Sequence, residues 1–161
     1  MLEDIDVSKY LMRGYWIFRR IIPASLLRDL RCQADIARSL AHEINGPQAQ
    51  RIQPLNKFSD KLDLQPFKDY AELADLRDAI ESLLGPGYTH AHLNIMGLLV
   101  EPLEHPWHCG WHRDGVVEVP IRDRNPAMNA AMKEFWHDLR VFNQVNCALY
   151  ADSSTWFVPG S

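Results

Sequence analysis

The sequence predicts an α+β domain in which N-terminal helices buttress a mainly antiparallel sheet or barrel. Two stretches in the first half carry apolar residues at helical spacing. Beyond Gly87 the texture changes to short runs rich in leucine, valine, isoleucine and aromatic residues. No internal repeat or low-complexity segment interrupts this order. A chain of 161 residues is long enough for one domain with a sizeable core, and its length does not call for two. Residues 1–161 are therefore expected to form a single domain.

Asp6 to Arg13 predicts a short helix closed by Gly14, and Tyr15-Trp16-Ile17-Phe18 has the composition of a strand, ended by Pro23. From about Ala24 to Ile44, the residues Leu26, Leu27, Leu30, Ala34, Ala37, Leu40, Ala41 and Ile44 recur at helical spacing, with Arg28, Asp29, Arg31 and Arg38 between them. Asn45-Gly46-Pro47 stops this amphipathic helix. The polar stretch through Gln65-Pro66 has no sustained period and predicts a long connection with at most a brief turn. A second amphipathic helix is expected from about Phe67 to Leu84, stopped by Gly85-Pro86-Gly87.

Thr89 to Glu101 then predicts a strand ended by Pro102, and Val116 to Val119 a shorter one. Asn125-Pro126 has the form of an N-cap followed by proline in the first helical turn, opening a helix to about Leu139 between strands. Val141 to Tyr150 and Trp156-Phe157-Val158 complete the expected strands.

Composition excludes several classes of function. The net charge is −4 and the lysines and arginines are scattered, so the basic footprint of a nucleic-acid binder is missing. Cys32, Cys109 and Cys147 are an odd number at wide spacings, which argues against a disulfide framework and suits a reducing compartment. The opening Met-Leu-Glu-Asp-Ile-Asp is acidic where a signal peptide is basic, and no apolar run approaches a membrane span. A soluble, cytoplasmic protein is the expectation; oligomeric state leaves no trace in the sequence.

Chemistry concentrates in Trp107-His108-Cys109-Gly110-Trp111-His112-Arg113-Asp114-Gly115. In an extended backbone, residues two apart point to the same side, so His112 and Asp114 can present an imidazole and a carboxylate to one ion. Such a pair is two thirds of the two-histidine, one-carboxylate facial triad that leaves open positions on ferrous iron for oxygen chemistry. A tripeptide this short arises readily by chance, so its context must carry the argument. The pair lies between two expected strands, in a glycine-containing turn flanked by Trp107 and Trp111, and aromatic walls limit water access to a metal.

Four segments, taken in order, resemble the phytanoyl-CoA dioxygenase family. They are Gly14-Tyr15-Trp16-Ile17-Phe18-Arg19-Arg20, the helix beginning Ser25-Leu26-Leu27, the block Trp111-His112-Arg113-Asp114-Gly115, and Val145-Asn146-Cys147-Ala148-Leu149-Tyr150-Ala151-Asp152 with Val158-Pro159-Gly160-Ser161. The last two are the diagnostic ones. The resemblance implies a partial double-stranded β-helix (a jelly roll, cupin-like) using iron(II), 2-oxoglutarate and O2. His112 and Asp114 match the first two metal ligands, and oxidative decarboxylation of 2-oxoglutarate drives hydroxylation of a small organic substrate. Related halogenases lack this carboxylate, so Asp114 favours hydroxylation. Asn94 and Asn146 fall at approximate positions where members contact 2-oxoglutarate; each amide equally suits the satisfaction of neighbouring backbone groups.

The chain departs from the family in the third ligand. Members place a second histidine, and then an arginine for the distal carboxylate of 2-oxoglutarate, beyond the Pro-Gly-Ser motif, whereas this chain ends at Ser161. The expectation is the N-terminal portion of such an enzyme, and the alternative is a catalytically inactive fragment or metal-binding module. His137, the only histidine after Asp114, lies on the expected inserted helix and reads as a surface residue. Asp152, beside Ser153 and Ser154, reads as turn chemistry. A zinc site drawn from His90, His92, His105, His108, Cys109, His112 and Asp114 lacks a Cys-x-x-Cys pair, and a Cys109 nucleophile lacks a marked oxyanion site.

Overall fold

A computed structural model of the chain describes residues 5–87, 92–111 and 143–160. The expected strand at 116–119 and helix at 125–139 lie outside the described residues, as do the first residues of the strand expected from Thr89. The described residues fall into two compact units, one within Met1–Trp107 and Ala148–Ser161, the other within His108–Cys147. No helix among them is long and apolar enough to cross a membrane.

In the first unit, helix α1 spans Val7–Arg13. Asp6 caps it by accepting the Lys9 N–H at 3.0 Å, and the same N–H, joined by the Lys9 ammonium, holds the Asp6 carboxyl below the usual carboxylate range. Gly14 closes it in the left-handed region at φ 79°, where its N–H reaches the Tyr10 carbonyl at 2.8 Å. The expected strand over Tyr15 to Phe18 is irregular in the structure. β-Propensity expresses itself only against a neighbouring strand, and Tyr15 finds a ring partner in Phe157 instead.

Helix α2 spans Ala24–Asn45 and buries Leu30, Ala34, Ala37 and Ala41 along one face. These residues recur at intervals of three and four, as the apolar period predicts. The small alanines bring neighbouring elements close to the helix axis. Leu30, Ala37 and Ala41 join Ala49, Ile52, Leu55, Leu62, Phe67 and Val100 in the main hydrophobic core.

The segment after α2 is far more structured than a connection. Strand β1, Arg51–Ile52, pairs antiparallel with β2, Leu98–Leu99, in the register Ile52 to Leu98. The pairing continues outward through Val100 N–H to the Gln50 carbonyl at 3.0 Å and Leu103 N–H to the Pro47 carbonyl at 2.8 Å. A 3-10 helix follows at Leu55–Phe58, with Leu55 fully buried. Ala49, Ile52, Leu55 and Leu62 are core residues set singly in a largely polar stretch with no sustained period, which is why a search for periodicity passes over them.

The single helix expected from Phe67 to Leu84 is two, α3 over Gln65–Ala71 and α4 over Ala74–Leu84. Leu73 sits between them with ψ 113°, an extended conformation that turns the chain. The break serves two packing partners: α3 buries Phe67 against α2, while α4 packs on α1, where Tyr10, Leu76 and Ala79 are buried. One straight helix would present a single stripe to both.

Of the strand expected from Thr89 to Glu101, the described part pairs only at Leu98–Leu99. His92 to Met96 forms a turn, with the Ile95 and Met96 N–H groups on the His92 carbonyl at 3.0 Å. The Leu93 and Met96 carbonyls are taken by Asn56 and Leu55 N–H in the 3-10 helix, so no ladder extends there. Residues 148–160, also expected to contribute strands, are irregular and lie along the helices of this unit. In the second unit the described residues, 108–111 and 143–147, contain no helix or strand.

Candidate functional site

The segment leading to His112 and Asp114 follows the two-strand ladder in the sequence. Gln48 Nε2 donates to Glu104 Oε2 at 2.6 Å, just past the last ladder bond, and the chain continues from there without regular structure to Trp111. Trp107 is half-buried and its indole Nε1 is enclosed without a hydrogen-bond partner among the described residues. His105 is exposed in the first unit; His108, Cys109 and Trp111 are exposed in the second. Trp111, at 71% exposure, is not a core residue. His112 and Asp114 themselves lie outside the described residues.

The two asparagines fall in different units. Asn94 is exposed in the turn between His92 and Met96, and that turn clips onto the 3-10 helix through the Leu93 carbonyl. Asn146 is exposed in the second unit, where its side-chain oxygen accepts from Gln144 Nε2 at 3.3 Å. Both amides are open to a ligand at their own locations.

Other candidate donors are placed as follows. Asp152 accepts the Ser154 N–H at 2.7 Å and the Thr155 hydroxyl at 3.4 Å, an Asx turn. The Ser154 hydroxyl, then its N–H, draws the Asp152 carboxyl below its usual range. None of the three cysteines forms a disulfide: Cys32 and Cys109 are exposed and Cys147 is half-buried. His90 and His137 lie outside the described residues, and among the described residues no group of three or more His, Cys, Asp or Glu side chains is arranged to hold a metal.

Two segments that carry the family resemblance meet in the first unit. Tyr15 stacks on Phe157 with ring centroids 5.3 Å apart and planes 15° apart. Gly160, in the left-handed region at φ 76°, donates its N–H to the Arg13 carbonyl at 2.9 Å. The Pro-Gly step thus has a local structural task, docking the end of the segment onto the last turn of α1.

Sequence reasoning did not single out Arg31, Asp35 and Tyr150 as a set. Arg31 Nε donates to the Leu149 carbonyl at 2.6 Å, and its guanidinium lies 5.1 Å from the Tyr150 ring centroid. The Tyr150 hydroxyl donates to Asp35 Oδ1 at 2.8 Å. The only signal available beforehand is that Arg31 and Asp35 are four apart on one helix face.

Comparison of the chain with protein-family models, with curated proteins and with solved structures finds no match.

Proposed function

We propose that the chain carries two metal ligands of an iron(II)- and 2-oxoglutarate-dependent dioxygenase that hydroxylates a small organic substrate. The reading is supported by one observation above the rest: a Trp-His-x-Asp-Gly block at Trp111–Gly115 followed, after an intervening segment, by Val158-Pro159-Gly160-Ser161. The packing of Tyr15 on Phe157 and of Gly160 on Arg13 adds that the first and last of the resembling segments belong to one packed unit.

The donor set fits ferrous iron at two of three facial positions. His112 contributes a neutral imidazole nitrogen and Asp114 a hard carboxylate oxygen, a mixture suited to iron(II) and ill-suited to a closed thiolate zinc site. Iron held there would supply oxygen activation coupled to decarboxylation of 2-oxoglutarate. The chain's own part would be to bind: His112 and Asp114 would hold the metal, and the exposed amide of Asn94 or of Asn146, each in its own unit, would be the candidate donor to a cosubstrate carboxylate.

Anaerobic iron titration, followed by an assay for succinate released from 2-oxoglutarate, tests the reading. Micromolar iron affinity together with 2-oxoglutarate-dependent succinate release would sink the alternative of an inactive fragment, and in a protein that also carries the third ligand His112→Ala and Asp114→Ala are each expected to abolish succinate formation. Turnover retained in either variant removes that residue from the metal site. A folded sample that neither binds iron nor releases succinate overturns the reading.

A further inference from the structure

Residues 148–160 have no regular secondary structure, yet they are tied to the first unit at both ends. At one end, Arg31 on α2 holds the Leu149 carbonyl and covers the Tyr150 ring, while Asp35, one turn further along the same helix, receives the Tyr150 hydroxyl. At the other end, Phe157 stacks on Tyr15 and Gly160 bonds to Arg13. Between these ends the strap makes little burial: every residue from 151 to 160 is exposed, and Leu149 is the one side chain packed against the main core. Docking therefore depends on a few polar and ring contacts at the surface, each of modest strength.

We propose that residues 148–160 form a releasable strap, latched onto α2 where Tyr150 engages the Arg31–Asp35 pair. Arg31 and Asp35 act together: one fixes the strap's backbone and ring, the other its hydroxyl. Losing the latch withdraws Leu149 from the core and leaves the Tyr15–Phe157 stack and the Gly160 bond to hold the remainder. The device stands on the clasp alone and is independent of the oxygenase reading.

Limited proteolysis of the full chain tests it. The strap contains no lysine or arginine but offers chymotrypsin residue 150 at the latch itself, as tyrosine or phenylalanine, with Trp156 and Phe157 beyond it, and cleavage after residue 150 under native conditions follows the population of the opened latch. Tyr150→Phe keeps the ring over Arg31 and deletes only the hydroxyl, so strap cleavage should rise about fivefold, the scale of one typical hydrogen bond. Asp35→Asn should do the same, and Arg31→Ala, which removes two contacts, should exceed both. Trypsin cleavage at Lys57, in the packed 3-10 helix, should stay at the wild-type rate and so report that the rest of the unit is intact. Unchanged strap cleavage in Tyr150→Phe and Arg31→Ala overturns the proposal. So does a rise at Lys57 in step with the strap, since the strap would then open only with the whole unit.

Discussion

At Gly97 the antiparallel pair leaves no room for a side chain. Continuing the register of β1 and β2 by one residue sets Gly97 opposite Gln53, and a Cβ on Gly97 would stand 2.8 Å from Gln53 Cβ and 2.9 Å from its Cγ. Those atoms are at the root of the side chain and cannot swing aside. Gly97→Ala should therefore cost about 1–3 kcal/mol, seen as a lower denaturant midpoint with an unchanged slope; a wild-type midpoint would show that the approach is looser than this. Tyr150 makes a second residue-scale prediction. The hydrogen bond to Asp35 raises its phenol above the ordinary value, with desolvation adding to the effect. A folded-state pKa above the unfolded one means that the bond's contribution is fully present below about pH 10 and is lost as pH rises through the raised value. A difference titration of tyrosinate absorbance between wild type and Tyr150→Phe should show the late transition, and Asp35→Asn should return it toward the ordinary range. Neither residue announces itself in the sequence, because what matters at each is a neighbour 44 or more positions away, and spacing rules see only local ones.

Helix α2 is where sequence and structure agree most closely, since its apolar period places Leu30, Ala34, Ala37 and Ala41 on the buried face without help from elsewhere. Its alanines also carry a prediction. Ala37 and Ala41 have no exposed surface, so Ala37→Leu has to displace neighbours and should destabilise the unit by about 1–3 kcal/mol in urea unfolding. An Ala37→Leu protein as stable as wild type would mean that unfilled space lies beside the helix. The closure of α1 at Gly14 is legible for the same local reason, whereas Asp6, expected as the first helical residue, is its N-cap. Elements that depend on distant partners were not. Leu73 divides α3 from α4 because the two halves answer to α2 and α1 respectively, a demand that the residues around Leu73 do not encode. Leu55 and Leu62 reach the core from a stretch without period. Tyr15 to Phe18 and Trp156 to Val158 have strand composition yet meet each other and the helices rather than a ladder.

For the whole molecule, the candidate site is legible as residue types and order, not as geometry. His112 and Asp114 are proposed from their spacing and their setting between glycines and tryptophans, whereas Asn94 and Asn146 rest on order along the chain alone, and the structure has them in separate units. Their side chains are exposed, so Asn94→Ala and Asn146→Ala should leave stability within about 0.5 kcal/mol of wild type. Any loss of succinate release in those variants then reports cosubstrate binding and not folding. The clasp on α2 has a consequence in time as well as in space. Its two hydrogen bonds join residues 118 and 115 positions apart, the most non-local kind of contact, and such contacts form late because a long loop must close first. As the chain leaves the ribosome, α2 and the surrounding core residues through Val100 are available long before Leu149 emerges. The Arg31–Asp35 face of α2 is thus bare during synthesis, and the first unit acquires its last core side chain only when nearly everything else described here has been made.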